Sequence, residues 1–166
     1  IGSFNGSQLN ALSTAQMASF ETADIAALDA RIVSALSTGN VTALTSSQVK
    51  ALDSAQLKAL TTAQLNALDT ADVAAMGTSQ IQALTATQVS SLSTDRVTAL
   101  TSGQMQALTS TQVAGLTTSQ VASLTTTQVE SLTTSQIQAL GSNQIAAMSS
   151  DQITAIQTAD LASLTT

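Results

Sequence analysis

This 166-residue chain contains no cysteine, no histidine and no proline, and its only aromatic residues are two phenylalanines. The absence of cysteine excludes disulfides and zinc–thiolate sites. Because histidine is absent as well, the chain lacks a Ser-His-Asp triad and the usual ligands of zinc. Its many serines and threonines have no obvious base to activate them. We therefore expect a protein that is not an enzyme and that holds no metal and no cofactor.

Charge is also scarce, at 8% of residues, and the net charge is −6 with Arg31, Lys50, Lys58 and Arg96 as the only basic residues. A nucleic-acid-binding surface needs a basic stripe and usually stacking aromatics, and this sequence has neither. No run of 18 apolar residues is present, so no segment is predicted to span a bilayer. We expect no nucleic-acid partner, no membrane span and no small-molecule substrate.

The sequence consists instead of one octapeptide with variations, typified by Leu-Thr-Thr-Thr-Gln-Val-Glu-Ser at residues 124–131. With Leu at position 1, twenty full octads run from 4 to 163, with partial octads at 1–3 and 164–166. Position 1 is always large and apolar, position 6 is aliphatic, and position 8 is Ala, Ser or Gly115. Such a strict short period predicts a single repeat array over residues 1–166.

Each octad carries the signals of a helix N-terminus. Position 2 is Thr, Ser, Asp, Asn or Gly in nearly every octad, and these are the preferred N-cap residues. Position 5 is mostly Gln, which completes the Ser/Thr-x-x-Gln capping box by reaching back to the N–H of the cap. Positions 1 and 6 are the two partners of a hydrophobic staple. The pattern therefore predicts one helix start every eight residues.

Helices of six or seven residues are unstable alone, so the array rather than the octad must be the folding unit. We predict an all-α fold, a thin solenoid of very short helices with one helix per octad. Leu and Val line its inside, small position-8 residues let backbones approach closely, and positions 2, 3, 4 and 7 face outward or cap. One continuous helix is disfavoured, because its apolar stripe would rotate by about 80° per octad.

A β-solenoid is the alternative, since Thr and Val favour strands and a ladder of position-5 glutamines would stack inside it. Against it, the adjacent positions 8 and 1 both look buried, which breaks the two-residue alternation of a strand. Ala at position 8 and the capping box also favour helix.

A few residues invite a chemical interpretation. Asp69 and Asp72 are three residues apart, as in an acid pair or a metal site, but they occupy the two capping-box positions. Asn5-Gly6-Ser7 and Asn40-Val41-Thr42 match the N-glycosylation sequon, which chance also produces in a chain so rich in Ser and Thr. Repeated Thr at positions 2 and 3 would suit an ice-binding face, although capping explains it more simply. We therefore assign no catalytic, cofactor-binding or metal site.

The outward positions carry neutral hydroxyls and amides, which suit lateral packing with copies of the chain or a hydrated coat. Residues 116–121, Leu-Thr-Thr-Ser-Gln-Val, and 60–65, Leu-Thr-Thr-Ala-Gln-Leu, resemble octapeptide repeats of large secreted bacterial surface proteins of the adhesin and matrix type. This resemblance covers the whole chain and implies export to the cell surface and a spacer or fibre role.

We therefore expect an extracellular structural protein that forms a fibre, filament, stalk or matrix by self-assembly. A protein-binding solenoid and an ice-binding protein are the alternatives. Repeat arrays need polar terminal repeats to cover their cores, yet Ile1 and Phe4 lie at one end, and Leu161 and Leu164 at the other. We expect the segment either to continue into more protein or to stack head to tail with copies of itself.

Overall fold

The computed structural model of the protein describes residues 4–156, and this range consists of short α-helices with no β-strand. The all-α prediction, with one short helix per eight residues in a solenoid-like arrangement, is confirmed, and the β-solenoid alternative is wrong for these residues. Ile1, Leu161 and Leu164 lie outside the described range. The helices are α1 Gly6–Asn10, α2 Thr14–Ala18, α3 Thr22–Ala26, α4 Ala30–Ser34, α5 Thr38–Thr42, α6 Ser46–Ala51, α7 Ser54–Ala59, α8 Thr62–Leu65, α9 Thr70–Ala75, α10 Thr78–Ala83, α11 Ala86–Ser91, α12 Thr94–Thr98, α13 Ser102–Ala107, α14 Ser110–Ala114, α15 Thr118–Ser123, α16 Thr126–Glu130, α17 Thr134–Gln138, α18 Ser142–Ala146 and α19 Ser150–Ala155.

Two to four residues separate each helix from the next, and the last of them is an extended N-cap. Before α16, for example, Leu124 has φ −58° and ψ 140°, and the N-cap Thr125 has φ −72° and ψ 156°. No described residue has a positive φ, so these helices do not end in the left-handed residue that usually requires glycine. The chain therefore changes direction at positions 1 and 2 without a loop.

The predicted capping boxes are present in most octads. In one of them Thr117 Oγ1 accepts from the N–H of Gln120 at 3.1 Å, and Gln120 Oε1 accepts from the N–H of Thr117 at 2.8 Å. Before α10 and α18 the cap is glycine, so only the bond from the cap N–H to the glutamine is made. Complete boxes begin at Asn5, Ser13, Thr45, Asp53, Thr61, Asp69, Thr85, Thr101, Thr109, Thr117, Thr125, Thr133 and Ser149.

The chain divides into two compact units, Ile1–Leu84 and Thr85–Thr166. Within the described part of each unit, a helix packs on the helix three places before it. In the first unit α7 packs on α4 and α9 on α6, and in the second unit α14 packs on α11 and α19 on α16. The chain thus returns to its own earlier course once in about three to four octads, as a solenoid does.

Positions 1 and 6 form the core of each unit, as predicted. Val121 at position 6 has 0% of its surface exposed, and Leu124 at the next position 1 is also buried. Position 8 is different: most of its residues are half-buried, although the sequence suggested a buried position. The reason is that this small residue lies at the contact between neighbouring turns rather than inside the core.

Close approach explains why position 8 is small. A Cβ added to Gly115 would lie 3.3 Å from the Cβ of Ala86, within the second unit. In the first unit, a Cβ added to Gly6 would lie 2.8 Å from the Cβ of Ala35, which is closer than two carbons can pack. In both pairs a position-8 residue meets a position-3 residue 29 positions away in sequence. The predicted role of position 8 in close backbone approach is consistent with these contacts.

Candidate functional site

The polar residues that stand out in the structure are the position-5 glutamines, which lie inside the core beside the leucines and valines. Gln48, Gln56 and Gln104 are among the most fully buried side chains described. Burying an amide without hydrogen bonds costs about 1–3 kcal/mol on the scale of protein mutational data. Each of these side chains therefore needs partners for its oxygen and its nitrogen.

Gln56 shows how those partners are arranged. Its Oε1 accepts from the N–H of the N-cap Asp53 at 2.8 Å, which is the capping-box bond. Its Nε2 donates to the carbonyl of Ile25 at 2.9 Å and to that of Leu28 at 2.7 Å. These two carbonyls lie 31 and 28 residues earlier in the chain. One amide thus caps its own helix and ties that helix to two points of the preceding turn.

We call this arrangement a glutamine bridge: a position-5 Nε2 that donates to the carbonyls of the residues 31 and 28 positions earlier. The Nε2–oxygen distances lie between 2.6 and 3.2 Å, as expected for good hydrogen bonds. In the first unit the bridges are made by Gln48, Gln56, Gln64 and Gln80. The bridges of the second unit include those of Gln120, Gln128, Gln136, Gln144 and Gln152.

The bridges satisfy backbone groups that the short helices cannot satisfy by themselves. Leu28 lies at position 1, between the C-cap Ala27 of α3 and the N-cap Asp29 of α4, so its carbonyl lies outside the i→i+4 bonding of both helices. The amide of Gln56 supplies the missing donor. Across residues 4–156 no buried side-chain nitrogen or oxygen lacks a hydrogen-bond partner. The buried polar side chains in this range are therefore used for hydrogen bonds within the protein.

Asn40 occupies position 5 with a shorter amide side chain and makes part of a glutamine bridge. Its Nδ2 donates to the carbonyl of Leu9 at 2.7 Å, 31 residues earlier, but the side chain does not also cap its own helix. Asn10 takes over that task, because its Oδ1 accepts from the N–H of the N-cap Ser37 at 2.7 Å. Two asparagines from neighbouring turns therefore replace one glutamine.

Asp72 occupies a bridge position with a group that cannot donate when ionised. It is buried, with 4% of its surface exposed, and its carboxylate accepts from the hydroxyl of Ser46 at 2.7 Å and from the N–H of Asp69. Burial raises the pKa of the Asp72 carboxyl above its ordinary value, although the hydrogen bond from Ser46 acts in the opposite direction. The carbonyls 31 and 28 positions earlier, of Val41 and Leu44, receive no bridge from it.

The first octads make capping boxes but no bridges. Gln8 Oε1 and Gln16 Oε1 accept from their cap N–H groups at 2.9 Å, as in the later octads. Both side chains are nevertheless exposed, and their Nε2 atoms have no hydrogen-bond partner in the described part of the chain. Beside them Phe4 is 38% exposed, whereas position-1 residues from Leu28 to Leu140 are buried.

The residues that the sequence analysis considered for metal binding, acid–base chemistry or glycosylation have structural roles in the described part of the chain. Asp69 and Asp72 are the two members of one capping box, as proposed. Within residues 4–156 no group of three or more acidic residues is arranged to hold a metal ion. Of the two sequons, Asn40 is buried and donates its amide to Leu9, whereas Asn5 is exposed and caps α1. Over the same range, none of the helices is long and apolar enough to cross a membrane.

The bridging role of position 5 was not predicted from the sequence, which assigned this residue to the capping box alone. A signal was nevertheless present. A capping box accepts Glu as readily as Gln, because the box needs only an acceptor oxygen. No octad of this chain has Glu at position 5. The strong preference for Gln over Glu is consistent with use of the amide nitrogen, and the exceptions Asp24, Asp72 and Asp160 have the shorter acid side chain.

Comparison with protein families gives one match, and comparison with curated proteins gives none. The model of the ALTTAQ repeat matches residues 17–54, 49–86, 66–102, 102–134 and 130–155. Together these matches run from 17 to 155, well over half of the chain. The six letters of the description occur at residues 59–64, which run from a position-8 alanine to the bridging Gln64.

Proposed function

The chain belongs to the ALTTAQ repeat family, and on that premise we propose that it is a structural repeat protein without enzymatic activity. It serves as a self-assembling fibre, stalk or matrix component of a large secreted bacterial surface protein. The glutamine bridges are the observation that carries this proposal. They are a recurrent bond by which one turn of the array holds the next.

A bridge makes the array open-ended. Within each unit, the donor of a later octad and the carbonyl pair of an earlier one come from the same positions of the same repeat. A further octad would therefore meet the acceptors that the previous octads met. An architecture of this kind is extended by adding repeats, and its length depends on their number rather than on closure of a core. That property suits a fibre or a spacer.

The proposed absence of catalysis rests on how the polar groups are used. Asp69, Asp72 and the glutamines hold helix ends or turns together. A catalytic site needs a nucleophile, an acid or a base that is positioned toward a substrate. In the described residues the polar groups of the core are directed at the backbone instead.

The proposed location outside the cell is supported by the surface chemistry and by the resemblance to adhesin and matrix repeats. Position-3 residues such as Thr118, Thr126 and Thr134 are exposed hydroxyls. Only four residues of the chain are Lys or Arg, so proteases that cleave after basic residues find few sites. A neutral, hydrated and protease-resistant surface suits a long-lived extracellular material.

The location is tested by labelling intact cells of the source with an antibody against this chain. We expect labelling of unbroken cells, while an antibody against a cytoplasmic enzyme labels only lysed cells. If the repeat antibody also required lysis, the proposed extracellular role would be wrong.

Self-assembly is tested by sedimentation velocity of the purified 166-residue chain over a wide concentration range, with electron microscopy of the same samples. We expect a weight-average mass that rises with concentration, and end-to-end particles in the images. A single 16.7 kDa species at all concentrations would contradict the assembly part of the proposal.

A further inference from the structure

One position-5 residue in the middle of the first unit does not form a glutamine bridge. Asp72 lies between Gln64 and Gln80 in the repeat, and both of these glutamines form bridges. A bridge from Asp72 would end at the carbonyls of Val41 and Leu44, but a carboxylate has no N–H to donate. The turn that precedes Asp72 therefore lacks the side-chain donor that the neighbouring turns receive.

The backbone of that turn is nevertheless the same as in a bridged turn. The C-cap of α5 has φ −80° and ψ −11°, and the C-cap of the bridged α4 has φ −88° and ψ −7°. After α5 the N–H of Leu44 donates to the carbonyl of Val41 at 3.1 Å. After α4 the N–H of Leu36 donates to the carbonyl of Val33 at 3.2 Å. The carbonyls of the two turns are therefore arranged alike.

In a bridged turn, three carbonyl oxygens converge on one nitrogen atom. The Nε2 of Gln64 lies 3.0 Å from the oxygen of Val33, 3.3 Å from that of Ser34 and 2.8 Å from that of Leu36. We call the equivalent three carbonyls of the turn before Asp72 the carbonyl cradle. It consists of the carbonyls of Val41, Thr42 and Leu44.

The carboxylate of Asp72 is directed toward the turn that contains the carbonyl cradle. Its Oδ2 accepts from the N–H of Asp69 at 3.2 Å, as the glutamine oxygen does in a bridge, so Oδ1 takes the end that carries the nitrogen in glutamine. This Oδ1 accepts from the hydroxyl of Ser46 at 2.7 Å, 26 residues earlier. Aspartate is one methylene shorter than glutamine, which places its oxygen roughly 1.5 Å farther from the cradle than a bridging nitrogen. Two sets of oxygen atoms thus face each other without a donor between them.

The charge of Asp72 is not compensated by its neighbours. The residue is 4% exposed, and its hydrogen bonds come from Ser46 and Asp69, neither of which is positively charged. Burial raises the pKa of the Asp72 carboxyl, and the negative charge of Asp69 acts in the same direction. Buried charges in proteins are usually paired or coordinate a metal ion. A cation between the carboxylate and the carbonyls would satisfy both.

We propose that Asp72 and the carbonyl cradle bind one calcium ion, with the hydroxyl of Ser46 as a further ligand and water completing the shell. Calcium accepts carboxylate and backbone carbonyl oxygens in a flexible geometry, whereas magnesium demands a nearly ideal octahedron and keeps most of its water. The absence of nitrogen and sulfur ligands disfavours zinc and copper. The ion joins two turns where the glutamine nitrogen does so elsewhere. This site is independent of the proposed function.

The test is isothermal titration of calcium chloride into the parent chain and three variants, with magnesium chloride and sodium chloride at equal ionic strength as comparisons. Asp72→Gln removes the charge and places an amide nitrogen at the cradle, and Asp72→Asn removes the charge with little change in size. Asp53→Asn is the matched control, because it removes one charge at an exposed N-cap and leaves a good capping residue. Circular dichroism verifies that each variant is folded.

We expect the parent chain and Asp53→Asn to bind one calcium ion with a dissociation constant of about 10⁻⁴–10⁻³ M, the range of weak all-oxygen sites. Calcium at ten times that constant should raise their melting temperature by roughly 3–6 °C. Asp72→Gln and Asp72→Asn should lose at least about tenfold in affinity, because the only charged ligand is removed. Their melting temperatures should not respond to calcium.

Three results would overturn the inference. Equal calcium binding by the parent chain and Asp72→Gln would place the ion elsewhere. No binding by the parent chain up to about 10 mM, ten times the weakest expected constant, would show that no calcium site exists. An equal rise in melting temperature with magnesium or sodium would mean that the effect is one of ionic strength or of another ion. The proposed function does not depend on any of these outcomes.

Discussion

The first two octads, residues 4–19, and the octads at residues 44–67 of the same unit share one local code and differ in what surrounds it. Gln16 and Gln56 both close a capping box with nearly the same distance from Oε1 to the cap N–H. Gln56 is buried and forms a bridge, whereas Gln16 is exposed and does not. The helix start is therefore encoded locally, and the bridge requires a preceding turn that supplies two carbonyls.

The largest expected effect is the difference between Gln56→Glu and Gln16→Glu. Both variants keep the acceptor of the capping box, but Gln56→Glu places a carboxylate among buried carbonyls. We expect the free energy of unfolding to fall by roughly 3–5 kcal/mol for Gln56→Glu, as for an uncompensated buried charge. For Gln16→Glu we expect a change within about 0.5 kcal/mol, typical of a surface substitution.

Urea denaturation followed by circular dichroism measures both variants against the parent chain. The deficit of Gln56→Glu should shrink in acid, because a protonated carboxyl regains one donor. Equal losses in the two variants would mean that position 5 contributes through the capping box alone.

The next largest effect is a gain, from Asp72→Gln. A glutamine at this position keeps the capping box and can donate to the carbonyls of Val41 and Leu44, 31 and 28 residues earlier. Two hydrogen bonds and the removal of a buried carboxylate should raise the free energy of unfolding by about 1–3 kcal/mol at pH 7. The hydroxyl of Ser46 loses its carboxylate partner, which offsets part of the gain.

The gain should depend on pH in a defined direction. Burial raises the pKa of Asp72 in the folded chain, so the folded state binds more protons than the unfolded state between the two pKa values. The contribution of Asp72 to stability therefore falls as the pH rises from the pKa of the unfolded state, about 3.9, through the pKa of the folded state. The advantage of Asp72→Gln should be smallest in acid and constant above this window. An advantage that grows as the pH is lowered would contradict the assignment.

The smallest expected effect tests the close contact between turns with two glycines. Gly6→Ala places a Cβ 2.8 Å from the Cβ of Ala35, and such overpacking costs about 1–3 kcal/mol. Gly103→Ala meets nothing within 4 Å, so it should stabilise the chain by about 0.4–1 kcal/mol through the unfolded state. Thermal unfolding of the two variants should shift in opposite directions. A gain for both would show that the turns have room at Gly6.

Local signals predicted most of this fold. The caps, the box and the staple lie within one octad, so the sequence alone located every helix start from Asn5 to Ser149. The bridges join residues 28 and 31 positions apart, and the number of octads that returns the chain to itself depends on the angle between helices. That angle follows from the φ and ψ of two residues per octad, and small differences accumulate over a turn. The sequence therefore predicted the role of Gln56 in capping its helix but not its role in joining two turns.

Contacts between residues far apart in sequence also explain where the sequence prediction was incomplete. Asn10 and Asn40 look like unrelated irregularities in the sequence. In the structure they share the work of one glutamine bridge: Asn40 donates to the preceding turn, and Asn10 accepts from the N-cap N–H. Their relation appears only when residues 30 positions apart are placed side by side. Position 8 was predicted to allow close backbone approach and also looked buried, whereas in the structure most of its residues are half-buried.

Hydrogen exchange of the glutamine side-chain amides, followed by NMR, tests the central claim most directly. If position-5 amides hold the turns together, the Nε2 protons of Gln56 and Gln128 should exchange at least roughly a thousandfold more slowly than those of Gln8 and Gln16, because exchange requires the turns to separate. The exposed Gln106 and Gln138 provide the unprotected reference. Exchange of Gln56 and Gln128 at the rate of Gln106 would contradict the account, since the amides would then not be bonded to the preceding turn.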